Sequence, residues 1–144
     1  MEISKLFNLK DKIVIVSGGG RGNGYQISKD LSTLGVKVCR LDKKFFNINS
    51  KNIFDYKLDI TSEEKVKLVL QRIFKKFKKI DGLINNAGVS IESMKMDDIK
   101  RTLDINLLSA LNISYMVCNF MKKKKQGSII NITSIGAHEG FKNN

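Results

Sequence analysis

A cluster of glycines near the start of the chain has the composition needed to hold a diphosphate. Its spacing is Ser17-Gly18-x-x-x-Gly22-x-Gly24, directly after the apolar stretch Ile13-Val14-Ile15-Val16. Glycine lets the backbone approach a phosphate closely, and the N–H groups that begin a helix carry a partial positive charge. The spacing differs from the G-x-G-x-x-G fingerprint, and no Gly-Lys-Ser/Thr follows as in a Walker A loop. We therefore predict a phosphate-binding turn between a first strand and a first helix.

Two charged residues indicate which dinucleotide this turn would hold. Asp42 ends the second apolar stretch, where a carboxylate can accept hydrogen bonds from both ribose hydroxyls of NAD. Arg21 precedes Gly22 and could instead pair with the 2′-phosphate of NADP. Because the Asp42 carboxylate would repel that phosphate at close range, we predict NAD as the preferred cofactor and NADP as the alternative.

The elements that must position these residues follow from the hydrophobic pattern. Short β-branched runs alternate with helical patterns, which predicts βαβ units and a parallel sheet. Thr61 and Glu64 have the spacing of a capping box at the start of a second helix. We expect an α/β fold, a Rossmann-like doubly wound parallel sheet with five strands in the order 3-2-1-4-5. The strands are predicted at Lys12–Ser17, Val36–Asp42, Phe54–Leu58, Gly82–Asn85 and Ser128–Thr133, and helices at Gly22–Leu34, after Thr61, and at Asp97–Met121 with a bend near Arg101.

Composition argues against several other classes of protein. The 144 residues allow one domain and one core, and no apolar run approaches the ~20 residues of a membrane helix. The N-terminus has no signal-peptide pattern, so we expect a cytoplasmic protein with no membrane partner. The net charge of +12 suggests a nucleic-acid surface, but lysines spread along the chain supply most of it, whereas base and phosphate recognition favours arginine. We therefore expect no nucleic-acid partner and no metal, and Cys39 and Cys118 as reduced packing residues.

Four further stretches give the sequence its resemblance to a known family. They follow the glycine motif in order, and with it they make the chain resemble the short-chain dehydrogenase/reductases, single-domain branch, over essentially its whole length. Asn23 departs from the isoleucine that is usual between the last two glycines. The four stretches are Leu58-Asp59-Ile60-Thr61, Asn85-Asn86-Ala87-Gly88, Asp104-Ile105-Asn106-Leu107 and Gly127–Ser134.

The resemblance implies one NAD(P)-binding domain over residues 1–144 and an activity. Hydride would pass between nicotinamide and an alcohol/carbonyl pair on a small molecule, in a homodimer or homotetramer. Ser134 would hydrogen-bond the substrate oxygen, and Asn106 would hold a water in the proton relay. The cofactor would be bound by Ser17, Gly18, Gly20, Arg21, Gly22, Asn23, Gly24, Asp42, Asp59, Ile60, Asn86, Ala87 and Gly88, with Asp59 and Ile60 at the adenine.

The resemblance also implies a catalytic Tyr with a Lys four residues later, and their place falls beyond Asn144. The chain as written is therefore expected to be C-terminally truncated and inactive alone, with strand 5 as an exposed edge of the sheet. The alternative function is a non-catalytic dinucleotide-binding module or fragment.

Two other catalytic patterns are weaker. Tyr25 and Lys29 have the Tyr-x-x-x-Lys spacing, but they fall in the first helix, and we interpret the match as chance. His138 follows Ser134, yet a Ser/His hydrolase needs an oxyanion hole and an orienting acid, for which only Glu139 is near.

Overall fold

The computed structural model describes residues 8–91, 93 and 95–135, and within these residues five parallel strands form one sheet. The order β3-β2-β1-β4-β5 confirms the predicted doubly wound topology. The strands are β1 (Ile13–Ser17), β2 (Lys37–Asp42), β3 (Ile53–Lys57), β4 (Gly82–Asn85) and β5 (Ser128–Asn131). The helices are α1 (Gly22–Thr33), α2 (Glu63–Phe77), α3 (Met96–Leu103) and α4 (Ser109–Lys122), with a π-helical turn at Asp104–Leu108 between the last two.

Helices cover both faces of the sheet, which explains why β1 and β4 are apolar on both faces until their last residues. On one face, Ile15 and Leu83 belong to a buried cluster that also contains apolar residues of α2 and α4. On the other face, Val16 and Val38 form a smaller cluster, against which Ile27 of α1 packs. This arrangement brings the loops that follow β1, β2 and β4 together at the carboxyl end of the sheet.

The predicted capping box at the start of α2 is wrong. The N-cap residue is Ser62, and its side chain makes no capping hydrogen bond. Thr61 instead donates from its N–H and its hydroxyl to Asp59 Oδ1, at 3.1 and 2.8 Å. The Thr61 hydroxyl, which the pattern assigned to the helix cap, therefore donates to the Asp59 carboxylate that precedes the helix.

The interruption or bend predicted near Arg101 is present slightly further along the chain, because α3 continues through Arg101 to Leu103. The irregularity is the π-helical turn, where the Ser109 N–H donates to the Asp104 carbonyl. The Ser109 hydroxyl donates to the Ile105 carbonyl at 2.6 Å. The buried Ser109 hydroxyl therefore gives the Ile105 carbonyl a hydrogen-bond partner where the helix changes from π to α geometry.

The connection from β2 to β3 contains no helix, although a parallel crossover usually needs one. Residues 43–52 run as irregular backbone, in agreement with the absence of a predicted helix between the second and third strands. At the other side of the sheet, β5 ends at Asn131, earlier than predicted, and pairs only with β4 among the described strands. In the described part of the chain, none of the helices has the length and hydropathy to cross a membrane.

Candidate functional site

A cleft of about 410 Å³ opens at the carboxyl end of the sheet, beside the first turn of α1. Ligands of open parallel sheets bind in this position, where the chain leaves neighbouring strands in opposite directions. The predicted residues that line it are Gly18, Arg21, Gly22, Asp42, Asp59, Ile60, Asn86, Ala87 and Gly88. Sequence reasoning missed Leu41, Lys43, Leu58, Val89, Arg101 and Ile105, which also line it.

Four residues predicted to bind cofactor do not line the cleft: Ser17, Gly20, Asn23 and Gly24. Ser17 is only 2% exposed, and its hydroxyl accepts the N–H groups of Asn86 and Ala87 at 3.2 and 3.3 Å. The Asn86 side chain in turn donates to the carbonyls of Ser17 and Gly18, at 3.2 and 3.0 Å. These bonds join the loop after β4 to the glycine turn and so fix the shape of the cleft.

The glycines of the turn serve different needs. Gly18 has φ +64°, and a Cβ there would lie 2.8 Å from the Ala87 Cα. A Cβ on Gly24 would collide with the Gly18 carbonyl oxygen, so α1 can approach the turn only because that position lacks a side chain. Gly22 has φ +54°, but a Cβ added there would have no neighbouring atom within 4 Å. The space around Gly22 is the open cleft, which this glycine lines.

Alanine at Gly24 and alanine at Gly22 should therefore have different effects. Gly24→Ala should destabilise the fold by about 1–3 kcal/mol, the usual cost of overpacking a tight site. Gly22→Ala should lower the free energy of unfolding by about 1–2 kcal/mol because of its left-handed backbone. It should also weaken dinucleotide binding, by more than that loss of stability would account for. Urea unfolding and NADH titration of both variants measure the two effects. Equal binding by Gly22→Ala and the parent would show that no phosphate lies against this turn.

The Asp42 carboxylate is held in place by the backbone around it. Its Oδ2 accepts the Gly20 N–H at 2.9 Å, and its Oδ1 accepts the Lys43 N–H at 2.6 Å. Oδ1 also accepts the Lys44 N–H at 3.4 Å, whereas Oδ2 has one partner and can accept a further hydrogen bond. The contact with Gly20 couples the acid at the end of β2 to the glycine turn.

Asp59 at the mouth of the cleft forms an ion pair with Lys43, with 2.6 Å between Oδ2 and Nζ. Partial burial raises the pKa of Asp59, but the hydrogen bonds from Lys43 and Thr61 outweigh it and lower that pKa to about 2. The carboxylate is therefore ionised at neutral pH. Since Arg21 and Arg101 also line the cleft, it presents cations and carboxylates together.

Asn106 lies in the π-helical turn, and its side chain is bonded to one residue of the loop after β4. Its Nδ2 donates to the Val89 carbonyl at 2.8 Å, and its Oδ1 accepts the Val89 N–H at 2.9 Å. Both polar groups of the side chain therefore join the π-helical turn to the loop after β4. The second N–H of Nδ2 and a second lone pair of Oδ1 are not used in these two bonds, so the amide keeps the capacity to hold a water.

Asn85 ends β4 and Ser134 follows β5, and neither residue lines the cleft. Asn85 Nδ2 donates to Ser114 Oγ of α4 and to Asn131 Oδ1 of β5, each at 2.8 Å, which ties three elements together. Ser134 follows β5 at the carboxyl end of the sheet and is exposed. His138, Glu139 and the residues up to Asn144 lie outside the described part of the chain.

The Tyr25 and Lys29 pair is part of α1, as expected. The Tyr25 ring meets the Phe46 ring edge-on, with 6.3 Å between centroids, and its hydroxyl donates to the Asn47 carbonyl at 3.5 Å. Lys29 is exposed. These contacts give Tyr25 a packing position against the loop after β2.

Comparison with known proteins agrees with this architecture. The short chain dehydrogenase family model matches residues 12–144. An uncharacterized oxidoreductase of Staphylococcus saprophyticus is 31% identical over 93% of this chain and 59% of its own length. The 3-oxoacyl-(acyl-carrier-protein) reductase FabG of Buchnera aphidicola is 34% identical over 90% of this chain and 57% of its own length.

Solved structures show the same fold. ElxO with NADP bound superposes with a TM-score of 0.85 at 31% identity, covering 91% of this chain and 58% of that one. A short chain dehydrogenase from Leptospira borgpetersenii with bound NAD+ gives 0.90 at 23% identity, covering 99% and 58%. The chain therefore belongs to the short-chain dehydrogenase family, and it spans less than two thirds of the length of these relatives.

Proposed function

We propose that this chain is the dinucleotide-binding part of an NAD(P)-dependent oxidoreductase that acts on an alcohol/carbonyl pair of a small molecule. The observation that carries the proposal is the meeting of the glycine turn, Asp42 and the loop after β4 around one cleft. Family membership and the NADP bound to ElxO support this assignment. The substrate would lie beyond the nicotinamide end of the cleft.

The cofactor would be held by backbone and side chains of different segments. The open side of the turn at Gly22 and the N-terminus of α1 would take the diphosphate. Asp42 would accept the ribose hydroxyls, which favours NAD over NADP, and Asp59 with Ile60 would lie at the adenine. A nicotinamide bound at the far end of this cleft would supply or accept the hydride.

The catalytic groups within the described residues would be Ser134 and Asn106. The Ser134 hydroxyl would donate to the substrate oxygen as charge develops on it. Asn106, held in place by its two hydrogen bonds to Val89, would hold a water in the proton relay. A Tyr and a Lys beyond residue 144 would complete the proton transfer.

The direct test is NADH binding and turnover by the full-length protein. Binding is expected as a rise in NADH fluorescence, and turnover as a change in absorbance at the nicotinamide band across a panel of small alcohols and carbonyl compounds. Absence of binding for both NADH and NADPH would refute the assignment. Binding without turnover on any substrate would favour the second candidate, a non-catalytic dinucleotide-binding module.

We also propose a cytoplasmic homodimer or homotetramer for the full-length protein. The supporting observation is an apolar strip along α4, where Leu111 and Tyr115 are 58% and 71% exposed one helical turn apart. Cross-linking and light scattering would report the assembly. A monomer at micromolar concentration would contradict it.

A further inference from the structure

Arg40 is a buried arginine in the middle of β2, directly beneath the glycine turn. Its side chain is only 1% exposed, and it lies on the strand next to Asp55, its partner in the register of β2 and β3. Its neighbours Cys39 and Leu41 are apolar core residues. A fully buried arginine needs partners for its donors, so its contacts show what it does.

The guanidinium connects three separate segments. Nε and Nη2 donate to the two carboxylate oxygens of Asp55 at 2.6 and 2.7 Å, a bidentate pair. Nη1 donates to the carbonyl of Gly19 at 3.3 Å and to the carbonyl of Phe46 at 3.1 Å. The Phe45 ring lies 5.1 Å from Cζ. Asp55 thus orients the group, while Nη1 holds the glycine turn and the loop after β2.

The loop that Arg40 holds also bonds directly to the glycine turn. The Phe46 N–H donates to the Gly20 carbonyl at 2.8 Å, and the Gly20 N–H donates to Asp42 Oδ2 at 2.9 Å. A Cβ on Gly19 would lie 3.0 Å from the Arg40 stem, so the turn rests on that side chain. Carbonyls of Gly19 and Gly20 therefore face away from the cleft, toward Arg40 and Phe46.

We propose that Arg40 is a positioning residue for the dinucleotide site, which supports the glycine turn directly at Gly19 and the Asp42 carboxylate through Phe46 and Gly20. This inference rests on the function proposed above. Arg40 does not line the cleft, but it would hold the glycine turn in the shape that binds the dinucleotide. Removal of the guanidinium should leave the turn and residues 43–46 without their common anchor, which should weaken NADH binding.

The test must separate positioning from simple stability. Arg40→Met alone leaves the Asp55 carboxylate partly buried and unpaired, whereas Arg40→Met with Asp55→Leu removes both charges, a change that is often neutral or stabilising. Ile73→Ala lowers stability by removing a core side chain of α2 that does not line the cleft. Each variant of the full-length protein is compared for melting temperature, NADH dissociation constant and kcat at saturating NADH.

We expect the double variant to bind NADH about tenfold more weakly, a loss equivalent to one or two hydrogen bonds, with kcat at saturation near the parent value. Ile73→Ala should melt at a lower temperature and bind NADH normally. NADH binding by the double variant equal to that of the parent would overturn the proposal, as would an equal loss of affinity in Ile73→Ala.

Arg40→Lys keeps the test decisive if the double variant fails to fold. Lysine keeps a cation beside Asp55 but lacks the fork that reaches Gly19 and Phe46 at the same time. The same weakening of NADH binding is expected, and parent-like affinity would refute the role. Failure of the parent protein itself to bind NADH would instead refute the proposed function.

Discussion

Replacing Ser134 with alanine should lower kcat of the full-length protein by a factor on the order of 10² to 10³, the usual loss when one donor to a developing oxyanion is removed. Ser134 lies just beyond β5 at the same end of the sheet as the cleft, where a substrate could meet the nicotinamide. The NADH dissociation constant should not change, because this hydroxyl would contact substrate and not cofactor. Stopped-flow or steady-state turnover with the best substrate of the panel measures the effect.

Ser134→Thr provides the matched control, since it keeps a hydroxyl at the same position and adds only a methyl group. Partial activity is expected from this variant. If Ser134→Ala retains more than about a tenth of the parent kcat, the hydroxyl is not the main donor to the substrate oxygen. If it loses NADH affinity to the same extent as turnover, its role is structural.

Replacing Asp42 with asparagine should shift cofactor preference from NAD toward NADP by roughly one to two orders of magnitude. At about 4 Å, two like charges repel by about 1 to 4 kcal/mol at the mouth of a cleft, and each 1.4 kcal/mol is a factor of ten. Asparagine removes the charge but keeps an oxygen that can accept the Gly20 N–H. The ratio of kcat/KM for the two cofactors is the measurement.

Two variants separate charge from shape at this position. Asp42→Ala should relax the preference too, and it should also weaken both cofactors because the Gly20 contact is lost. Asp30→Asn removes the same charge from the exposed end of α1, away from the cleft, and should leave the ratio unchanged. A ratio that stays constant in Asp42→Asn would mean that this carboxylate does not face the 2′ position.

The sheet could be predicted because its strands are continuous apolar runs, the pattern that is typical of strands buried on both faces. β1 and β4 are apolar on both faces, and each is followed by a distinctive turn, so their central place in the order follows from general rules of parallel sheets. The position of the cleft was predictable for the same reason, since polar residues that end neighbouring parallel strands must meet. Asp42 ends β2 and Asn86 follows β4, the two strands on either side of β1, and both residues line the cleft.

Contacts between segments that are distant in the chain could not be predicted from the sequence. Ser17 is part of the glycine motif, but its hydroxyl is buried against the loop after β4. Lys43 is one surface lysine among many until the fold places it against Asp59. Arg101 of α3 and Ile105 of the π-helical turn line the cleft together with the glycine turn, from which they are distant in the chain.

Arg40 is the clearest case of a residue whose type misleads. A charged side chain inside an apolar strand predicts solvent exposure, yet this one is buried because Asp55 and two carbonyls satisfy it. The connection after β2 has no helix, as the sequence pattern predicts, and Arg40 bonds to it at the Phe46 carbonyl.

The hydrogen bonds between Ser17 and Asn86 have a consequence for the order in which the chain folds. β2 and β3 join residues that are close in sequence, such as Val38 and Ile53, whereas β1 and β4 join Val14 to Gly82. Closing the longer loop costs more chain entropy, so we expect the cleft to be completed late in folding. A dinucleotide that bridges these segments would bind only the finished chain and raise its melting temperature in proportion to the logarithm of its concentration, which a thermal titration would measure.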